Sequence, residues 1–179
     1  MVAVFGTMAA DVLHIEFGVP YFGSTIAFAI TLAVLFAVWY RSEGTLSIHS
    51  IYTRRREAFY WAAVLATFAM GTAIGDLAAY TANLGFLASG LLFAALFALP
   101  GIAYRWFDLN AVLAFWIAYI LTRPLGASFA DWMGKSHHAG GLQFGDGPVT
   151  FVLCGLIVAF VAYVSATKND RERTRALAA

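Results

Sequence analysis

Long runs of apolar residues separated by short polar stretches constrain this chain most. Two of them, Ser24 to Tyr40 and Val149 to Tyr163, are apolar on all sides, without the alternation of a membrane β-strand. A bilayer core is about 30 Å thick and needs ~20 mostly apolar residues per spanning helix. Charged residues make up 12% of the 179 residues, compared with about 25% in an average soluble domain. The sequence therefore predicts an integral membrane protein whose main partner is the lipid bilayer.

The apolar runs predict an all-α fold, a polytopic transmembrane helical bundle. Before the full spans, Val2 to Ala10 gives only ~14 Å of helix, which is too short to cross a bilayer. We interpret this piece as an N-terminal half-helix, or as part of a span whose upstream sequence is missing. The five full spans are expected at about residues 24–40, 58–81, 86–104, 109–131 and 148–167.

Positive charge alternates between the two sides of the predicted spans. Arginines occur in the segment 41–57, in the turn at Arg105 and in the tail 168–179, whereas the opposite connections carry few basic residues. Lysine and arginine in short loops favour the cytoplasmic side, so the C-terminus is expected in the cytoplasm. The aromatic residues at this boundary are expected to be interfacial anchors: Trp39, Tyr40, Tyr60, Trp61, Tyr104 and Trp106.

A six-residue pattern occurs three times, as GTMAAD at 6–11, GTAIGD at 71–76 and GASFAD at 126–131. Each copy ends a span that runs outward, so the chain is predicted to consist of parallel two-helix repeats. The repeat-like units of this single transmembrane domain are about 1–57, 58–108 and 109–167, followed by the cytoplasmic tail 168–179.

The small residues of the pattern predict close helix packing. Gly71 and Gly75 are four positions apart on one helix face, and small residues at this spacing let helices approach closely in lipid. The corresponding Gly6 and Gly126 are expected to pack in the same way. Such faces, where exposed, also predict a homo-oligomer or a partner membrane subunit.

The Asp residues of the pattern are candidate ligands for a cation or proton. Asp11, Asp76 and Asp131 are expected at similar depth, and parallel repeats around an axis along the membrane normal would bring them towards one outward-opening site. A structural interpretation stays open, because an Asp near a helix end also hydrates or caps a neighbouring backbone.

Arg123 lies eight residues before Asp131, ~12 Å deeper along the predicted helix. An intramembrane arginine costs at least ~2.5 kcal/mol on insertion scales, and it indicates a functional site with a carboxylate partner. We expect Asp76 to be that partner, with Asp131 as the second choice. A buried ion pair that only locks two helices is the alternative.

Other chemistries have less support. No P-loop, dinucleotide-binding glycine motif or zinc-binding helix signature occurs, so no enzyme activity and no cofactor are expected. A net charge of +1 does not indicate a nucleic acid partner. Adjacent histidines in a loop usually bind no specific metal, so no metal site is expected from the outer-loop candidates His137, His138 and Asp146.

Several segments resemble a known family: YRSEGTLSIHSI (40–51), the stretch 55–76, the stretch 109–133 with its TRPLGAS motif, and GGLQFG (140–145). The chain resembles uncharacterised bacterial inner-membrane proteins, described as membrane-anchored proteins built from a tandem repeat of unknown function. The resemblance implies four copies of a two-helix repeat and about eight spans, so this chain would begin inside the second copy. It also implies a bacterial inner-membrane location.

Together these features predict a transporter or permease for a cation or small solute, with proton coupling as an option. The Asp residues would bind the cation or proton, and Arg123 would set their charge state by pairing. The alternative is a non-transporting accessory or scaffold subunit of a larger membrane complex, in which the same charges lock helices together.

Overall fold

The computed structural model describes the backbone of residues 2–177 and the side chains of residues 2 and 4–167. The charged side chains of the predicted tail, 168–179, lie outside the described residues. Within the described part the chain is helical and contains no strand, which confirms the predicted fold class. The helices are α1 (Val2–Ile15), α2 (Tyr21–Glu43), α3 (Arg54–Asp76), a π-helix (Leu77–Thr81), α4 (Gly85–Trp106), α5 (Ala111–Gly134) and α6 (Asp146–Leu177).

Five helices are long and apolar enough to cross a membrane: α2, α3 together with the π-helix, α4, α5, and α6 as far as Thr167. The five predicted spans are thereby confirmed, and the chain is a multi-pass membrane protein. Helix α1 has 14 residues, more than the sequence predicted, and is about 21 Å long at 1.5 Å per residue. It remains shorter than a bilayer core of about 30 Å.

The chain separates into two compact units, which we call unit 1 (residues up to Phe129) and unit 2 (residues from Ala130 onward). In unit 1, helix α3 packs against both α1 and α2. Small side chains let neighbouring helices approach closely in lipid, which explains why the most buried helix of unit 1 is rich in them. The buried residues of α3 are Ala63, Val64, Ala66, Thr67, Ala69, Met70, Gly71, Thr72, Ala73 and Gly75.

The outer face of α2 carries large apolar side chains at a spacing of four residues. Ile26, Ile30, Val34 and Val38 are all more than 40% exposed. Residues four apart lie above one another on a helix, so they form one apolar stripe. Such a stripe suits contact with lipid chains.

Helix direction alternates in unit 1, so each end of the unit gathers several helix termini. At one end, the carboxylate end, α1 and α3 end where α2 and α4 begin, and Tyr80 of the π-helix contacts both Tyr21 and Phe86. At the other end, the arginine end, α2 ends and α3 begins. There the Glu43 carboxylate lies 2.7 Å from Arg56 Nε, an ion pair that joins the two helices.

Trp39 lies inside the protein, near the arginine end. It is 1% exposed, its ring stacks on Phe59 with centroids 6.1 Å apart, and it meets the edge of Trp116 at 5.8 Å. Trp116 in turn donates from Nε1 to the Leu46 carbonyl at 3.0 Å. The expectation that Trp39 is an interfacial anchor is wrong, because its ring packs against other aromatic rings and not against lipid.

Candidate functional site

Arg123 lies near the middle of α5 and reaches both α1 and α3. Its Nη2 donates a hydrogen bond to Thr7 Oγ1 at 2.6 Å. Its guanidinium carbon lies 5.5 Å from the centroid of the Phe68 ring. A charge-assisted hydrogen bond and a cation–π contact both offset the desolvation of a guanidinium. The side chain therefore connects three helices of unit 1.

Two cavities, both open to the protein surface, meet at Arg123. One, of about 240 Å³, lies between α3 and α5, and the other, of about 310 Å³, lies between α1 and the same two helices. Phe68 and Arg123 line both of them, and Thr7 lines the second. A polar solute in either cavity would lie beside the guanidinium group.

Asp76 is the last residue of α3 and directly precedes the π-helix Leu77–Thr81. It is half-buried. Tyr21, at the start of α2, stacks on the ring of His14, three residues after Asp11, and on that of Tyr80, four residues after Asp76. The structure thus brings two of the three predicted carboxylates to one region, and a π-helix turn, a feature frequent at functional sites, follows one of them.

His14 lies in the same region. Its ring stacks on Tyr21 with centroids 3.6 Å apart, and its Nδ1 lies 2.7 Å from the Val19 carbonyl oxygen. Tyr80 stacks on Tyr21 with centroids 6.0 Å apart. We call this group the carboxylate cluster: Asp11, His14, Tyr21, Asp76 and Tyr80.

Gly6 and Gly71 lie at close helix–helix contacts. A Cβ atom at Gly6 would lie 2.5 Å from Phe68 Cβ, and one at Gly71 would lie 2.6 Å from Arg123 Cβ. Neither separation is possible between carbon atoms that are not bonded. Any larger residue at either position would force the helices apart, and the stem of Arg123 fits this closely against α3 because Gly71 has no side chain.

The other two glycines of the pattern lie in looser surroundings. A Cβ at Gly75 would lie 3.7 Å from Pro124 Cα, an ordinary contact. At Gly126 no described atom comes within 4 Å of such a Cβ. The predicted close packing thus does not occur at Gly126 within the described chain, because this residue borders the cavity between α3 and α5. The predicted pairing of Asp76 with Arg123 stays a prediction.

In unit 2, Asp131 and Asp146 both lie near Lys135. The Lys135 Nζ atom is 3.8 Å from Asp131 Oδ1 and 3.7 Å from Asp146 Oδ2. These contacts link the end of α5 to the start of α6. All three side chains are at least one third exposed, and ion pairs in such surroundings contribute little to stability.

The loop between α5 and α6 folds back on the last turn of α5. The N–H groups of residues 142–145 donate to the backbone carbonyls of residues 132–135. His137 Nδ1 lies 2.9 Å from the Gly141 carbonyl oxygen, which fixes the loop locally. Among the side chains that the structure describes, no group of three or more His, Cys, Asp or Glu is placed to hold a metal ion. This includes the outer-loop candidates His137, His138 and Asp146.

Sequence reasoning missed Thr7 and Tyr21 as members of the site. A signal existed for Thr7, since the repeated pattern has Thr at its second position in two of three copies. Its counterpart Thr72 bonds back to the Phe68 carbonyl at 3.0 Å. Tyr21 gave no signal, because only the packing of α2 against α1 and α3 brings it to the carboxylates.

Comparison with known proteins identifies the family to which the chain is similar. The family described as "Repeat of Unknown Function (DUF347)" matches the chain in three tandem segments, residues 1–45, 59–109 and 114–170. Together these segments cover most of the chain and confirm both the tandem repeat and the resemblance noted from the sequence. No curated protein and no solved structure matches the chain.

Proposed function

The chain belongs to this family of tandem repeats of unknown function, and we propose that it is a permease of a bacterial inner membrane that moves a cation or small solute. The observation that carries the proposal is the position of Arg123, which lines two cavities near the middle of a long apolar helix. Charged residues inside membrane spans are costly and commonly mark the pathway of a substrate or ion.

The carboxylate cluster provides the second part of the pathway. Asp11 and Asp76 are half-buried at one end of unit 1 and supply oxygen ligands for a cation or acceptors for a proton. In the proposed orientation this end faces outward, because the arginines of the connection between α2 and α3 favour the cytoplasm. A solute would enter at the carboxylates and meet Arg123 deeper in the membrane. Asp131 remains a further candidate ligand.

The proposed activity is transport and not catalysis. The groups around Arg123 and in the carboxylate cluster are carboxylates, hydroxyls, aromatic rings and one imidazole. These groups bind ions and polar solutes by hydrogen bonds and charge. A permease needs no more than such groups on a path through the bilayer.

Flux through reconstituted vesicles tests the proposal. The purified chain is placed in liposomes that contain a pH-sensitive dye, and a sodium or proton gradient is imposed. The native chain is expected to move charge or protons, whereas Asp76→Asn and Arg123→Gln should abolish this flux. The matched control is Asp108→Asn at the opposite end, where the exposed residue has φ 51°, a conformation that Asn tolerates.

Two results would contradict the proposal. One is the absence of flux with the native chain under either gradient. The other is native flux in both variants. Circular dichroism and gel filtration of each variant in detergent separate lost transport from lost folding.

The second candidate function, a scaffold subunit, is favoured by the open surface at Gly126. No described atom lies within 4 Å of a Cβ there, so another helix has room to approach α5 closely. Gly126→Cys in a Cys154→Ala background should then cross-link to a second copy or to a partner subunit. Gly101→Cys on α4 is the control, and equal cross-linking at both positions would contradict a specific contact.

A further inference from the structure

Three buried hydroxyl oxygens in unit 1, those of Thr25, Ser89 and Ser128, have no hydrogen-bond partner among the described residues, and the two serines are themselves buried residues. Ser89 of α4 is 0% exposed and Ser128 of α5 is 3% exposed, and neither Oγ atom forms a hydrogen bond with a described group. Nearly all buried polar atoms of native proteins are bonded to protein or to ordered water, because leaving one unbonded is costly. A bound ion or polar molecule would satisfy the two serine hydroxyls.

The two serines lie at one helix contact. Gly90, which follows Ser89, packs on the ring of Phe129, which follows Ser128, and a Cβ at Gly90 would lie 3.3 Å from that ring. The contact brings the start of α4 alongside the same level of α5. Both serines therefore lie in one layer of unit 1.

Asp76 lies within about one helical turn of that layer. Gly75 contacts Pro124 of α5, and Ser128 is one helical turn, ~6 Å, beyond Pro124 on the same face. Asp76 directly follows Gly75. Two contacts on two neighbouring helices thus place a carboxylate near the level of the two serines.

A third contact gives the same placement for α4. Tyr80 meets Phe86 edge to face at 5.7 Å. Asp76 precedes Tyr80 by four residues, and Ser89 follows Phe86 by three. Each of these two residues therefore lies ~5 Å from the Tyr80–Phe86 contact along its own helix, towards the middle of the membrane. The π-helix Leu77–Thr81 starts directly after Asp76, and irregular backbone of this kind often lies beside ion sites in membrane proteins.

We propose that a sodium ion binds in this layer, held by the Asp76 carboxylate and by the Oγ atoms of Ser89 and Ser128. Carboxylate and hydroxyl oxygens are the ligands that hard cations take. One carboxylate balances one positive charge, whereas all-protein calcium sites usually contain several. The inference rests on the proposed function, since it names the cation that Asp76 binds.

Thermal unfolding of the purified chain in detergent tests the site. The midpoint Tm is measured in sodium chloride and in choline chloride at equal ionic strength, because a ligand that binds only the folded state raises Tm. The native chain is expected to gain several degrees in sodium. Ser89→Ala, Ser128→Ala and Asp76→Asn should lose this gain. In choline chloride the two alanine variants should be as stable as the native chain, because removing an unbonded hydroxyl costs little.

Ser24→Ala is the matched control. Ser24 is also 0% exposed, but its Oγ donates to the Tyr21 carbonyl at 3.0 Å. This variant should lose stability in both salts and keep the sodium-dependent gain. The inference is overturned if the native Tm is equal in sodium and choline, if only calcium chloride raises it, or if Ser89→Ala and Ser128→Ala keep the gain.

The flux assay separates this inference from the proposed function. A sodium-dependent Tm without sodium or proton flux would keep the ion site and contradict the permease. Flux without a sodium-dependent Tm would keep the permease and contradict the ion site.

Discussion

Thr7 and Arg123 are 116 positions apart in the chain and are joined by a hydrogen bond of 2.6 Å between Oγ1 and Nη2. The bond ties the short helix α1 to the middle of α5. The same bond supplies a polar partner to a guanidinium group in apolar surroundings.

Replacing Thr7 by Val should weaken the attachment of α1. The variant keeps the shape of the side chain and removes the acceptor, and we expect the free energy of unfolding to fall by about 1–2 kcal/mol. Unfolding in mixed micelles with increasing dodecyl sulfate measures the change. The control is Thr31→Val on α2, whose exposed Oγ1 bonds only within its own helix, to Ala27 at 2.8 Å. Equal losses in the two variants would contradict a special role for the bond to Arg123.

Replacing the first glycine of the repeated pattern by alanine should affect stability differently in two of its copies. Gly71→Ala places a Cβ 2.6 Å from Arg123 Cβ and must push α3 and α5 apart, at a cost of about 1–3 kcal/mol. Gly126→Ala meets no described atom within 4 Å, and Ala favours helix over Gly. We expect Gly126→Ala to leave stability unchanged or to raise it. Thermal midpoints of the two variants, measured side by side, decide the matter; a larger loss at Gly126 would refute the expectation.

The two buried tryptophans should also differ. Trp116 and Trp39 are 3% and 1% exposed, but only the Nε1 of Trp116 has a hydrogen-bond partner among the described residues, the Leu46 carbonyl at 3.0 Å. Both Phe variants lose similar volume, whereas Trp116→Phe also leaves a part-buried carbonyl without its donor. We therefore expect Trp116→Phe to cost about 1 kcal/mol more than Trp39→Phe. Denaturant unfolding followed by tryptophan fluorescence gives both values, and an equal cost would assign the loss to volume alone.

Local properties of the sequence were sufficient to predict the fold class and the number of spans. A spanning helix is defined by its own length and apolarity, so the run from Ser24 to Tyr40 could be recognised without knowing its neighbours. Helix ends were less certain: α2 continues past Tyr40 to Glu43 and ends before Gly44, whose φ is 70° and whose N–H donates to the Tyr40 carbonyl.

The candidate site could be predicted only in part. The repeated pattern identified Asp11 and Asp76, which lie about one helical turn before the His14 and Tyr80 rings that stack on Tyr21. The pattern does not distinguish Gly71 from Gly126, because equal residues in related repeats meet different neighbours. Trp39 shows the same limit, since an aromatic residue near a span end has identical local sequence features whether it faces lipid or the core.

Cysteine labelling should establish the orientation of the spans. The chain has one cysteine, Cys154, in the apolar part of α6. In a Cys154→Ala background, Ser136→Cys in the loop after α5 should react with a membrane-impermeant maleimide on intact cells. His49→Cys, in the connection between α2 and α3, should react only after the cells are permeabilised. The arginines at the start of α3, from Arg54 onward, favour the cytoplasmic side for this connection. Native Cys154 should react under neither condition, since a thiol in hydrocarbon does not form the reactive thiolate. The opposite accessibility of the two loop cysteines would reverse the proposed orientation, and labelling of Cys154 on intact cells would exclude α6 as a span.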